Sequence, residues 1–393
     1  MTTTEGPGGT PAANAAPRRR TSTAASTAPK APKVPRARTP KRTTATIAVT
    51  GAAGAIGTAL LRRLVASDDV GKVVALDLHK GDSEGVVWRT GDVRDPAVAQ
   101  KISGADAVIH LAVDWRLESP PAERSDLNVR GTQTVVTAAA AAGVRRVVLV
   151  TSAVVYGALA DNPIPLPEDA PLQALPEGIV ADLLEIERVA EDARRVHPGL
   201  DVVVVRPAAL VGPGVDTLVT RHFAAPRLLC IKDSSPAWQF CHVDDLASAL
   251  EHAALGRVSG NVTCGSDGYL TQQRLEDLSG LKRVEIPASL AFATAERLHR
   301  VGVTPAPASE LAYVMHPLVV PSTTLRAAGW APVHDNESNL EAVLEAVEGD
   351  RAVAGRRIGK RDATVAATSA AGATVAVLGA AAFVRAARKA RSR

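Results

Sequence analysis

The sequence predicts an α/β protein built on a doubly wound parallel sheet. Short runs of β-branched residues alternate with longer helical stretches from Thr44 to about Gly260, which is the order expected of parallel strands connected by helices. The runs lack the alternation of polar and apolar residues that marks a half-exposed strand, so they are expected to be buried on both faces. A glycine-rich segment also follows the first run directly and opens the first helical stretch.

The elements follow in a regular order along the chain. The predicted strands are residues 46–49, 72–76, 86–89, 107–111, 146–150 and 201–205. The main predicted helices are residues 55–65, 125–142 and 179–195. The pattern therefore predicts one parallel α/β domain over residues 44–260. After Gly260, Pro-rich connections and short helices replace this order, which predicts a smaller substrate-side region over residues 261–350.

Both ends of the chain differ in composition from the middle. Residues 1–43 contain almost no large apolar side chain and many Lys and Arg residues, which predicts a disordered basic arm. Residues 351–393 form a basic tail that contains an uncharged run, 363–384, with the length of one bilayer crossing. Ala and Gly are only weakly hydrophobic, so a membrane anchor, a surface helix and a disordered tail all remain open. The middle of the chain is acidic, and no nucleic-acid binding is expected of the core.

Cysteine usage indicates the compartment. Cys230, Cys241 and Cys264 form neither a disulfide framework nor a zinc ligand set, so no metal is expected. We expect a cytoplasmic protein, anchored to the cytoplasmic face of the membrane if residues 363–384 span the bilayer.

The glycine-rich segment predicts a dinucleotide site. Gly51 permits a tight turn, Gly54 allows the backbone to approach a pyrophosphate, and Gly57 lets the helix pack closely on the strand. The helix then begins with unpaired N–H groups and a partial positive charge. Asp77 ends the second predicted strand, 20 residues after Gly57, where a carboxylate binds ribose hydroxyls and repels a 2′-phosphate. The expected cofactor is therefore NAD.

Further motifs resemble the extended short-chain dehydrogenase/reductases, in particular the NAD-dependent epimerase/dehydratase family. The similar segments are Gly51-x-x-Gly54-x-x-Gly57, residues 91–95, 110–112, 128–132, 151–157, Arg206-Pro207, Gly212-Pro213 and residues 240–246. This resemblance implies a Rossmann-type fold. Together with the glycine segment it assigns cofactor binding to Gly51, Gly54, Ala55, Ile56, Gly57, Asp77, Asp92, Val93, Leu111, Ala112, Asn128 and Ser152.

The resemblance also implies hydride transfer assisted by a serine, a tyrosine and a lysine. Ser152 matches the serine. The helix that supplies the Tyr-x-x-x-Lys pair in the family has Ile179 and Leu183 at those positions, and the chain has no lysine between Lys101 and Lys232. Tyr156 is a weak alternative candidate for the base. Surface roles are expected for the nearby carboxylates Asp182, Glu185 and Glu177. His222 and His242 are possible acid/base groups, and the resemblance implies a structural role for His242.

Three function classes follow from these observations. The first is an epimerase/dehydratase-like oxidoreductase acting on a nucleotide sugar or related hydroxylated substrate. The second is a non-catalytic NAD-binding sensor or scaffold, which the missing tyrosine and lysine favour. The third is a steroid or isoprenoid alcohol dehydrogenase. The resemblance also implies a homodimer formed through the helices at 125–142 and 179–195.

Overall fold

The central sheet has seven parallel strands, and its order reverses between β1 and β4. The computed structural model describes residues 44–116, 118–225, 227–304 and 306–357. The strands are β1 Ala45–Thr50, β2 Val70–Asp77, β3 Val87–Thr90, β4 Ala107–His110, β5 Arg146–Val150, β6 Asp201–Pro207, β7 Ala209–Val211, β8 Leu228–Ile231, β9 Ala237–Trp238, β10 Phe240–His242, β11 Asn261–Cys264, β12 Leu270–Thr271 and β13 Arg283–Ile286. The large sheet runs β11-β6-β5-β4-β1-β2-β3. A reversal of this kind opens a crevice at the carboxyl ends of the strands.

Helices cover both faces of this sheet. They are α1 Ala55–Val65, α2 Val98–Ile102, α3 Pro121–Ser125, α4 Gly131–Ala141, α5 Gly178–Val196, α6 Leu218–Ala224, α7 Val243–Ala254, α8 Gln272–Ser279, α9 Ala288–Arg300, α10 Thr323–Ala327 and α11 Asn336–Arg357. Two 3₁₀ turns, Ala153–Tyr156 and Ala308–Val314, and one π-helical turn, Asp126–Arg130, complete the set. The predicted doubly wound Rossmann-type fold is confirmed.

The alternation of side chains along β1 divides the core into two layers. Ile47 and Val49 belong to the layer that contains residues of α1 and α7, whereas Ala48 belongs to the layer that contains residues of α4 and α5. All three are fully buried. Because successive side chains of a strand point to opposite faces, this double burial explains the absence of polar alternation in the sequence.

The six predicted strands all form, and the sequence reading missed a seventh. β11 begins at Asn261 and pairs in parallel with β6, with Asn261 opposite Val204. The main sheet therefore extends past Gly260, and the predicted division into two regions stays a prediction. Six shorter strands form three pairs, β7 with β10, β8 with β13 and β9 with β12.

The terminal predictions lie largely outside the described residues. The predicted basic arm, residues 1–43, and the uncharged run, 363–384, are not described, and the predictions for both stay predictions. Within the described ranges, no helix combines the length and the apolar character that a membrane crossing requires.

Candidate active site

The turn between β1 and α1 has a shape that only glycine can adopt at two positions. Gly51 has φ +67°, and a Cβ there would lie 2.5 Å from backbone atoms of Leu111 and Ala112. A Cβ on Gly57 would lie 2.5 Å from the Gly51 carbonyl oxygen. These contacts place the turn directly against the end of β4 and draw α1 onto it.

The start of α1 is open to an anion. Gly54 is the N-cap residue, and no side chain caps the helix. A Cβ on Gly54 would meet only the Gly51 carbonyl oxygen, at 3.4 Å, and Gly54, Ala55 and Ile56 line a cavity. This arrangement fits the pyrophosphate of a dinucleotide, which is stabilised by N–H groups and the helix dipole.

Asp77 connects β2 to the same turn. Its Oδ2 accepts a hydrogen bond from the Ala53 N–H at 2.9 Å. The Gly91 N–H donates to the Asp77 carbonyl at 2.9 Å, which brings Asp92 and Val93 to the edge where Asp77 lies. Arg94 binds Asp92, and this hydrogen bond lowers the pKa of the Asp92 carboxyl despite partial burial. The predicted ribose-side and adenine-side residues therefore share one edge of the sheet.

A cavity of about 440 Å³ begins at this turn and crosses the carboxyl ends of β1, β4, β5 and β6. The predicted site residues on its wall are Gly51, Gly54, Ala55, Ile56, Gly57, Leu111 and Ser152. Its far wall is mostly apolar and includes Trp115, Ile179, Leu183, Val215, Leu218, Val219, Trp238 and Leu318. The cavity thus extends from the dinucleotide turn to this apolar wall, which bounds an apolar chamber of the same space.

Ser152 lies where the strand β5 ends and the 3₁₀ turn begins. Its Oγ accepts a hydrogen bond from the Val154 N–H at 3.3 Å and lies 3.5 Å from the Pro207 carbonyl. The hydroxyl is half-buried on the cavity wall. The capping contact fixes the rotamer, and an oxygen lone pair remains for a ligand.

Two predicted site residues, Tyr156 and Asn128, have buried side chains and do not line the cavity. Tyr156 is 2% exposed, and its hydroxyl donates to the Glu168 carbonyl at 2.6 Å while it accepts from Arg206 at 2.9 Å. This corrects its assignment as a candidate base, because a buried hydroxyl bonded in this way does not reach the cavity. Asn128 is fully buried, and its amide holds the backbone N–H and carbonyl of Asp114. Asn128 therefore positions the loop after β4, and its predicted contact with the cofactor stays a prediction.

Three other titratable groups named from the sequence are occupied by structural contacts, whereas Nε2 of the buried His222 has no hydrogen-bond partner among the described residues. Asp182 forms a buried ion pair with Arg124 at 2.8 Å, and Glu185 pairs with Arg188 at the surface. His242 caps α7 and stacks on His334, with ring centroids 3.8 Å apart.

The sequence reading missed two residues on the cavity wall, Glu310 and Tyr313. Both belong to the 3₁₀ turn Ala308–Val314. Burial raises the pKa of Glu310 to about 7, although Arg124 and Arg221 partly oppose this shift. The only signal in the sequence is an acid and a tyrosine three residues apart in a Pro-rich stretch, and the chain separates them from Ser152 by more than 150 residues.

The fold and the turn together define a Rossmann-type dinucleotide-binding protein. A model of the NAD dependent epimerase/dehydratase family matches residues 47–262, and the chain belongs to this family. Its cofactor is NAD, and the open helix start and the glycine turn fit that group.

Similarities to individual proteins agree with this family. An uncharacterised protein of Mycobacterium tuberculosis is 28% identical over 291 residues, which cover 70% of this chain and 77% of that protein. The N-acetyl-alpha-D-glucosaminyl-diphospho-ditrans,octacis-undecaprenol 4-epimerase of Escherichia coli O157:H7 is 34% identical over 110 residues, or 28% of this chain and 32% of that protein. The structure of MoeE5 in complex with UDP-glucuronic acid and NAD has a TM-score of 0.61 at 23% identity and covers 78% of this chain and 99% of MoeE5.

Replacing Asp77 by alanine is expected to weaken NAD binding at least about 10-fold. The variant loses the ribose acceptor and the contact to the Ala53 N–H, and hydrogen bonds to a charged group are worth roughly 1.5–3 kcal/mol each. Fluorescence titration with NADH measures the change. Asp68→Ala is the control, because Asp68 is exposed at the amino end of β2, and affinity equal to the wild type in Asp77→Ala would refute the ribose assignment.

Proposed function

We propose that the chain is an NAD-dependent oxidoreductase of the epimerase/dehydratase type that acts on a nucleotide sugar or a related hydroxylated substrate. The observation that carries this proposal is the continuity of the cavity. The dinucleotide turn, Ser152 and the apolar chamber line one space, so a substrate in the chamber lies beside the cofactor.

The chain's own residues divide the work in this proposal. The N–H groups at the start of α1 hold the pyrophosphate, and Asp77 holds the adenosine ribose. Ser152 orients the reacting oxygen of the substrate through its hydroxyl. When bound, NAD supplies an acceptor for hydride. The mostly apolar wall of the chamber disfavours water beside the reacting carbon.

The charge of the chamber wall narrows the substrate class. Arg116 is the only lysine or arginine among the described residues of the wall, and Asp114 binds it at 2.8 Å. Burial opposes ionisation of Asp114, but hydrogen bonds from Arg116 and Ser119 lower its pKa to about 2, so the pair persists at neutral pH. This wall favours a hydroxylated ring joined to an apolar group. The Escherichia coli relative acts on a sugar diphosphate attached to undecaprenol, and a steroid or isoprenoid alcohol would also fit the wall.

One observation favours the second function class, a non-catalytic NAD-binding protein. Ile179 and Leu183 occupy the positions of the family's tyrosine and lysine, and both side chains line the cavity. Neither can move a proton.

Homodimer formation through α4 and α5 and membrane attachment through residues 363–384 also stay predictions.

Incubation with oxidised NAD and defined probes separates these functions. The probes are UDP-glucose, undecaprenyl-diphospho-N-acetylglucosamine and farnesol, with absorbance at 340 nm and proton NMR of the products as readouts. The proposal predicts product formation with a sugar probe and a lower rate for Ser152→Ala. Oxidation of farnesol alone would favour the alcohol dehydrogenase, and protein that holds NAD but converts no probe would favour the non-catalytic role.

A further inference from the structure

Glu310 is a buried carboxylate whose acceptors are unused. The residue is 6% exposed, and neither carboxylate oxygen has a hydrogen-bond partner among the described residues. Its side chain lines the cavity that also contains Ser152. Buried carboxylates are normally paired, because an unpaired buried charge is strongly destabilising.

The local fold directs Glu310 and Tyr313 toward the same space. In a 3₁₀ helix, side chains three residues apart lie on one side, and both of these side chains contact the cavity. The Tyr313 hydroxyl donates to the Val154 carbonyl at 3.1 Å, two residues after Ser152. A Cβ on Gly178, the first residue of α5, would lie 3.2 Å from Glu310 Oε1. Glu310 therefore lies at the start of the helix from which the family supplies its tyrosine.

The charges around Glu310 do not neutralise it. Arg124 on α3 and Arg221 on α6 face it electrostatically. Arg124 is bound to Asp182 at 2.8 Å, and Arg221 is bound to Asp216 at 2.6 Å and to Glu118. Both guanidinium groups already form ion pairs with other carboxylates, so a structural ion pair does not explain why the Glu310 carboxylate is buried.

We propose that Glu310 is the proton acceptor of this site and replaces the tyrosine that is absent at position 179; the assignment rests on the proposed function. The substrate's O–H bond breaks, and its proton passes to the Glu310 carboxylate. The carbinol C–H bond breaks, and its electron pair leaves with the hydrogen as hydride to oxidised NAD. A C=O bond forms, so the substrate loses two electrons and NAD gains them. The reverse transfer returns the proton.

The protonation states of Glu310 and Tyr313 agree with the role of Glu310 as the proton acceptor. Burial raises the pKa of Glu310 to about 7, close to neutral pH, where a base is most effective. Burial also raises the pKa of Tyr313, so its hydroxyl stays protonated and keeps the hydrogen bond that it donates to the Val154 carbonyl.

The test compares the wild type with Glu310→Gln and with Glu177→Gln as a matched control. Glu177 is exposed one residue before α5, and it accepts a hydrogen bond from Ser309 at 2.6 Å. Three quantities are measured: the infrared band of a protonated carboxyl against pH, NADH affinity by fluorescence, and conversion of UDP-glucose and undecaprenyl-diphospho-N-acetylglucosamine. Glu310→Asp, which keeps the carboxylate, tests rescue.

We expect a carboxyl band that disappears near neutral pH in the wild type and in Glu177→Gln and is absent from Glu310→Gln. Glu310→Gln should bind NADH like the wild type but convert the probes about 10²- to 10⁴-fold more slowly, with partial recovery in Glu310→Asp. Unchanged conversion in Glu310→Gln, or a Glu310 that is ionised already at pH 5, would overturn this assignment alone. Failure of the wild type to convert either probe would instead contradict the proposed function and remove the assignment with it.

Discussion

Replacing Glu187 by alanine is expected to lower the free energy of unfolding by about 3–5 kcal/mol, the usual cost of removing one partner of a buried ion pair. Glu187 on α5 and Arg206 on β6 are each 4% exposed at the side chain. Two hydrogen bonds of 2.9 Å join them. Thr151 donates to Glu187 at 2.7 Å, and Arg206 donates to the Tyr156 hydroxyl at 2.9 Å.

The reason for this large effect is the arginine that remains. Without Glu187, the only hydrogen bond that the buried Arg206 guanidinium keeps among the described residues is the one to the Tyr156 hydroxyl. Urea unfolding at pH 7 measures the change. Glu191→Ala is the control, because Glu191 is exposed on the same helix and should change stability by less than about 0.5 kcal/mol. A loss in Glu187→Ala no larger than that of the control would show that the network does not stabilise the fold.

Glu310→Gln is expected to change how stability depends on pH. The pKa of Glu310 rises from 4.5 to about 7 on folding, so the folded protein binds this proton more tightly than the unfolded chain does. Its contribution to stability is complete below about pH 4.5 and is lost as the pH rises to about 7. At pH 8 the wild type should therefore be about 3 kcal/mol less stable than the glutamine variant, relative to their difference at pH 4.5.

Unfolding of both proteins across pH 4.5–8 measures this difference. Burial lowers the pKa values of His110 and His222 to about 4, but both proteins contain them, so their contributions cancel. Glu177→Gln should follow the wild type at every pH. If the free energy of unfolding changes with pH in the same way for the wild type and Glu310→Gln, the fold does not hold the Glu310 carboxyl in its neutral form.

The sequence predicts six strands because a strand buried on both faces consists mostly of consecutive apolar residues, and this composition is visible without the structure. Residues 202–205 of β6 are four consecutive valines, and each is at most 1% exposed. The sequence did not predict β11, because this strand has only four residues and the polar Asn261 and Thr263 interrupt its apolar run. Its burial comes from packing beside β6 and under α10, which no local pattern records.

The cofactor side of the site was predictable, whereas the substrate side was not. The glycine turn is continuous in sequence, so its three glycines are recognisable without knowledge of the Leu111 and Ala112 backbone against which Gly51 packs. Asn128 and Tyr156 occupy family motifs, but a motif specifies a position and not the partner of its side chain. Glu310 reaches the cavity only because the chain returns to it after α9, and a contact over such a separation depends on tertiary packing.

The most direct test of the account is calorimetric titration of NAD into folded protein from which bound nucleotide has been removed. The account predicts heat that saturates at one NAD per chain, since the open start of α1 and Asp77 form one site. Circular dichroism confirms that the material is folded before titration. Absence of heat with both NAD and NADH would contradict the cofactor site and every proposal that rests on it.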